Sequence, residues 1–416
     1  MNKKIVTITI ILIIAISAGV FYLVNDKQGQ EGNSDSAISR VFRPFGINPT
    51  TEDPQGAGQG SPRGSTGGSS IDRFVSNSKF KKLTDFEVSG LVYTKESRII
   101  VNEENTNIKP ETELVPAIRY TRQIDGHIYG MYLDTGAVGK ISNSTIPQIQ
   151  EAIFPEKNSN NIIYRLLGPD NTTIKTILGV LGGSDSGFLV DNITTIAIAP
   201  NGNDFFYLSE NSTGAMGTIG SFINTRKNQI FKSAFTEWIA QWPVENKIFL
   251  TTKASHSAPG YAYSISPRDG RMTKVMGDIR GLTTLVSPDG NRVLYSFTTA
   301  EGPMLAVHDI KNSSYRQLNI YGLPEKCVWS SDSIYAYCAI PDNTQVYNYP
   351  DAWYQGRVSF NDRFYRINAD IISYSEIASS IYETPVDAVN LKINEQEDTI
   401  FFIDNKTGHL WSLDLK

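Results

Sequence analysis

The sequence predicts an all-β fold, a seven-bladed β-propeller, preceded by an N-terminal transmembrane helix and a flexible linker. Three observations carry this reading. First, a strand-and-turn unit recurs: the prolines that close Ile153-Phe154-Pro155, Ile198-Ala199-Pro200, Gln241-Trp242-Pro243 and Val286-Ser287-Pro288 lie 45, 43 and 45 residues apart, the period of a four-stranded blade. Second, aromatics reach 11%, with 20 Tyr and 19 Phe, and such side chains suit a pleated, half-buried surface. Third, residues 5–24 form an uncharged, Ile-rich run of twenty, which as a helix spans about 30 Å, the thickness of a bilayer core.

The chain divides at 1–24, 25–78 and 79–416 into anchor, linker and propeller. Lys3 and Lys4 precede the apolar run, which favours a cytoplasmic N-terminus, a single pass through the cell membrane and a propeller outside the cytoplasm. A cleaved signal peptide, with Ala15-Ile16-Ser17 near the cleavage site, is the alternative, and it also places the chain outside the cytoplasm. No Cys follows the run, which excludes a lipoprotein anchor. Residues 25–78 are rich in Gly, Ser, Gln, Asn and Pro, too polar to offset the entropy of ordering, and read as a disordered tether. One island within it, Arg40-Val41-Phe42-Arg43-Pro44-Phe45, is a candidate docking peptide.

The blades follow in order. The first opens at Glu87-Val88-Ser89-Gly90-Leu91-Val92-Tyr93 and pairs across a long loop with Ile118-Arg119-Tyr120-Thr121. Four units then start at the proline-closed strands. Degenerate copies begin at Cys327-Val328-Trp329-Ser330 and Val389-Asn390-Leu391-Lys392, making seven; six and eight blades are the alternatives. Turns such as Pro288-Asp289-Gly290 fit tight hairpins: Pro presets φ, Asp bonds its own backbone, and Gly accepts positive φ. The last unit stops after three strands, and Phe80-Lys81-Lys82-Leu83 is the spare strand able to complete it and remove two open edges. Blade two is irregular, with Gly182-Gly183-Ser184-Asp185-Ser186-Gly187 in place of a clear outer strand.

The stretch Ser287-Pro288-Asp289-Gly290-Asn291-Arg292-Val293-Leu294-Tyr295-Ser296 resembles the repeat of TolB-type, WD-repeat-like propellers. Residues 79–416 also resemble an uncharacterised bacterial family of membrane-anchored propeller proteins. The segments that carry this are Leu323-Pro324-Glu325-Lys326-Cys327-Val328-Trp329, Tyr349-Pro350-Asp351-Ala352-Trp353-Tyr354-Gln355-Gly356 and Gly408-His409-Leu410-Trp411-Ser412-Leu413. That resemblance implies architecture and location and assigns no activity.

The residues point to no catalytic group, metal or cofactor. His127, His256, His308 and His409 lack the i, i+4 spacing of a zincin, and no G-x-S-x-G elbow is present. Asp185 and Asp191 read as solvated loop acids rather than ion ligands. The net charge of −5 argues against nucleic-acid binding, which needs Lys and Arg to neutralise phosphates. The most informative irregularity is an insertion at 341–361 in blade six. Aromatics are costly to leave in an unordered loop, so it is expected to fold over a propeller face, either plugging the channel or presenting a contact surface. The candidate binding residues are Tyr347, Tyr349, Asp351, Trp353 and Tyr354, since Tyr and Trp give large contact area with a polar tip. Cys327 and Cys338 are expected to form a disulfide: a turn near Asp332-Ser333 sets them directly opposite on adjacent strands, and the compartment is expected to be oxidising. The function expected is a membrane-tethered, extracytoplasmic scaffold that binds an envelope protein or peptide. The alternative is an envelope carbohydrate-binding or glycan-acting propeller that uses the aromatic insertion.

Overall fold

A computed structural model describes residues 79–416, apart from 101–110, 184–186, 225, 344–347 and 382–383. The expected anchor, linker and docking island lie outside the described residues. No helix among those described is long and apolar enough to cross a membrane.

Seven four-stranded antiparallel sheets form seven blades. Their first strands are Val88–Ile100, Ile149–Ile153, Ile193–Ile198, Trp238–Val244, Thr283–Val286, Cys327–Trp329 and Ala388–Ile393. First strands adjoin between blades one and two, three and four, four and five, six and seven, and seven and one, and the turn Pro324–Lys326 before blade six meets the first strand of blade five, so they ring the hub. The ring closes as the sequence predicts: Phe80–Lys82 is the outer strand of blade seven, with Phe80 opposite Leu413 and Lys82 opposite Trp411. The strand Phe80–Lys82, N-terminal to blade one, is thereby hydrogen-bonded onto the last strand of blade seven and closes the ring. Blade two keeps a two-residue outer strand, Gly187–Phe188.

The core lies mainly between blades. Six apolar clusters each draw on two consecutive blades; one joins Phe206, Leu208 and Phe231 of blade three to Trp238, Trp242 and Leu250 of blade four. This follows from strand periodicity, because alternate residues of each strand face opposite neighbours and both sets are apolar. Close packing of blades one and two needs glycine at Gly90, where a Cβ would sit 1.8 Å from the Ala152 carbonyl oxygen.

The repeat has a common joint. Ser287 Oγ donates to Asp289 Oδ1 (2.5 Å) and accepts from Arg292 N (3.0 Å), and Gly290 takes φ 68°. One blade later Ser330 Oγ donates to Asp332 Oδ1 (2.5 Å) and accepts from Tyr335 N (2.9 Å), with Ser333 at φ 63° in the glycine's place. Both serines are fully buried. The degenerate copy keeps the hydrogen bonds and gives up only the residue best suited to positive φ.

Candidate functional site

The insertion leaves the strand Tyr335–Pro341 and returns at Asp362–Asn368. Between them lies one short helical turn, Asp351–Tyr354. Tyr349, Trp353, Tyr354 and Phe360 are buried at the hub against Val88, Ile118 and Tyr120 of blade one, Leu323 between blades five and six, and Phe401 and Leu410 of blade seven. The rings pack on one another, Trp353 stacking on Phe360 at 6.0 Å and Tyr349 lying 5.5 Å from Phe360. Asp351 reaches the loop of blade four, accepting a hydrogen bond from His256 N at 2.6 Å. The insertion therefore spans the hub from blade six to blade four.

These positions bear on the sequence-predicted binding residues. Tyr349, Asp351, Trp353 and Tyr354 come together, but Trp353 is 0% exposed and Tyr349 and Tyr354 are also buried. In this arrangement the rings face the hub, and a partner reaches them only if the segment moves. Tyr347 lies outside the described residues. Cys327 and Cys338 stand opposite in register and form the disulfide. The four histidines sit on different blades. Asp185 lies outside the described residues, and Asp191 pairs with Lys175 at 2.6 Å. Among the described residues, no group of three or more His, Cys, Asp or Glu is placed to hold a metal ion.

Beneath the insertion lies a buried ionic cluster that the sequence reading did not find. Lys326, Asp362 and Asp387 are each 0% exposed. Lys326 Nζ donates to Asp387 Oδ1, to the Ala388 carbonyl (2.8 Å) and to Asp362 Oδ2 (3.0 Å). Its ammonium also lies over the rings of Trp353 (5.5 Å) and Phe360 (5.3 Å), an arrangement that favours a cation. Asp387 Oδ2 accepts from Asn405 Nδ2 (3.1 Å) and Trp353 Nε1 (3.4 Å). Asp362 Oδ2 accepts from Ala388 N (2.6 Å), while its Oδ1 is buried with no donor. Burial pushes the Asp362 carboxyl up to about 7, with Lys326 pulling it down and Asp387 pushing it up. Burial would lower Lys326, but the two carboxylates outweigh it and leave the ammonium above its ordinary value. Next door, Tyr354 Oη donates to Glu325, whose carboxyl is raised by burial.

The signal for this cluster was present. Lys326 directly precedes Cys327-Val328-Trp329 and Asp387 lies in Val386-Asp387-Ala388-Val389, each a charge abutting an apolar first strand of successive blades. Charged residues are almost never fully buried unless paired, so such positions call for a partner.

A second feature lies at the rim. A cleft of about 640 Å³ opens between the outer strand of blade four, Met272–Arg280, and the facing side of blade five. Val275, Ile279, Tyr295 and Phe297 line it with Tyr315 and Arg280. Tyr315 is 69% exposed. His308, also in the lining, is held below its ordinary value by burial.

No family model and no curated protein sequence matches the chain. In fold it is similar to an oligogalacturonate lyase in complex with manganese, at 10% identity over 80% of this chain and 99% of that one, with a TM-score of 0.51. The β-propeller domain of the Trilobed protease from Pyrococcus furiosus matches at 12% identity over 72% of this chain and 92% of that one, TM-score 0.47. TolB from Acinetobacter baumannii matches at 11% identity over 62% of this chain, TM-score 0.42, and the match spans 60% of that protein's own chain. At such identities the likeness extends to the fold. The chain is a seven-bladed β-propeller, and TolB-type propellers are among the solved structures it resembles.

Proposed function

We propose that this chain is a membrane-tethered, extracytoplasmic propeller that acts as a protein-interaction scaffold in the cell envelope. The observation that carries the binding role is the rim cleft: a concave surface lined by Tyr295, Phe297 and the exposed Tyr315. Tyr is a residue type that anchors protein interfaces, pairing large contact area with a polar tip. The envelope location rests on the apolar run at 5–24 and the two lysines before it. The Cys327–Cys338 disulfide supports an oxidising compartment.

The test is cross-linking from position 315. A photoreactive residue replacing Tyr315 in the full chain, in its native envelope, should attach to one discrete envelope protein. Phe297→Ala should reduce the yield without moving the thermal midpoint by more than about 2 °C, since Phe297 is only half-buried. Retention of envelope glycan with no protein adduct would replace the scaffold reading by the carbohydrate-binding one. Location is checked separately: protease outside spheroplasts should degrade the propeller or release it, and protection until lysis would sink the extracytoplasmic assignment.

A further inference from the structure

We infer that segment 348–361 is a pH-released strap: the Lys326–Asp362–Asp387 cluster holds its aromatic face on the hub while Asp362 carries a proton, and withdrawal of that proton frees it.

One ammonium and two carboxylates, all fully buried, sum to −1 if every group is ionised. An uncompensated buried charge is costly, so one proton is retained. Hydrogen-bond geometry says where. Asp387 receives Lys326, Asn405 and Trp353 on its two oxygens. Asp362 has one oxygen with two donors and one, Oδ1, with none. The carboxylate with the fewer donors is the one kept neutral.

Among the described residues no further charge compensates it. Asp404, on the far side, accepts from Asp387 N (2.9 Å) and is itself an acid. Glu325, on the turn that carries Lys326, is engaged by Tyr354. On the strap itself, Asp351 turns to His256 N. Arg363, next along the chain, turns outward to Asp342 (2.7 Å) and Glu376 (3.4 Å). Lys406, from blade seven, reaches the Asn361 side chain at the surface (2.6 Å) rather than the cluster.

The strap is tied to this proton directly. Asp362 is its C-terminal joint to blade six, Trp353 donates to Asp387, and the Trp353 and Phe360 rings cap Lys326. Solvating the cluster therefore means lifting the strap. In the released state Asp362 is an ordinary carboxyl that ionises near 4, whereas in the strapped state it holds its proton to about 7. Between these values the released state binds fewer protons, so rising pH favours release, by about tenfold per pH unit, levelling off above 7. Release would bare Tyr349, Trp353 and Tyr354, the aromatic surface that the sequence singles out.

Hydrogen exchange on the full chain in detergent tests this. The amides of Ala352, Trp353, Tyr354 and Gln355 are all hydrogen-bonded within the strap. After correction for intrinsic exchange, their opening constant should rise about tenfold per pH unit between pH 5 and 7 and flatten above. Asp362→Asn should abolish the slope. Asp387→Asn, which leaves one base facing one acid, should abolish it too. A flat wild-type profile, or a slope that survives in either variant, overturns the inference. Should both variants fail to fold, infrared spectroscopy of the wild type decides: a protonated carboxyl band present at pH 6 and lost by pH 8 is required, and its absence at pH 6 refutes the strap.

Discussion

Replacing Lys326 by Met is the sharpest test of what holds the hub. Methionine keeps an unbranched apolar stem against Trp353 and Phe360 but removes the ammonium from three acceptors, the carboxylates of Asp362 and Asp387 and the Ala388 carbonyl. All three side chains of the cluster are 0% exposed, so no solvent screening reduces the loss. Removing one partner of a buried ion pair costs about 3–5 kcal/mol. For a domain of about 340 residues the unfolding entropy is roughly 0.7 kcal/mol per kelvin, so the thermal midpoint should fall by about 4–7 °C. Thermal melts followed by circular dichroism, with urea unfolding alongside, measure it. The loss should be larger at pH 8 than at pH 5, where Asp362 is protonated and only Asp387 is left uncompensated. Adding Asp387→Asn should recover at least about 2 kcal/mol at pH 5, because with Asp362 protonated the double variant holds no unpaired charge. A single variant within about 1 kcal/mol of wild type, or strict additivity in the pair, would refute the claim that these three groups act as one cluster.

Four further outcomes are expected. Replacing Cys327 and Cys338 together by Ala should cost about 3 kcal/mol on the chain-entropy model for so short a loop, the separation being 11 residues, and wild-type protein alkylated without reduction should carry no label by mass spectrometry. Trp353→Ala removes a ring with 0% exposure and should cost about 3–5 kcal/mol in urea unfolding; a near-neutral result would mean the insertion is not packed on the hub. Gly90→Ala places a Cβ against backbone, the Ala152 carbonyl oxygen, which cannot rotate away, so a loss of about 1–3 kcal/mol or more should appear in the same assay. Deleting residues 1–83 removes the outer strand Phe80–Lys82 and opens the edge of Leu410–Asp414; light scattering should show concentration-dependent association that the chain beginning at Lys79 lacks.

What could be read from residues alone was the part of the architecture that repeats. The 43–45 residue period and the Pro-Asp-Gly turns are local signals, since turn chemistry and period-two alternation act over a few neighbours. They sufficed for the seven blades, the closing strand at Phe80–Lys82 and the register that opposes Cys327 to Cys338. The hydrogen-bonded turn between Ser330 and Tyr335 sets that register with no reference to the rest of the ring.

The hub was a different matter. Sequence marked 341–361 as aromatic and out of pattern but left open which way its rings would face. Only the closed ring shows Trp353 clustered with residues of blade seven and with residues of blade one, the latter more than 200 positions away in the chain. Likewise, Lys326 precedes the first strand of blade six, Asp362 opens its third strand and Asp387 precedes the first strand of blade seven, 36 and 25 residues apart in sequence. Their side chains converge because the blades radiate from one axis. Composition and spacing can place a charge beside an apolar strand. Whether that charge meets water or a carboxylate depends on which strand the ring brings beside it, and that is a property of closure, which no local segment of the chain contains.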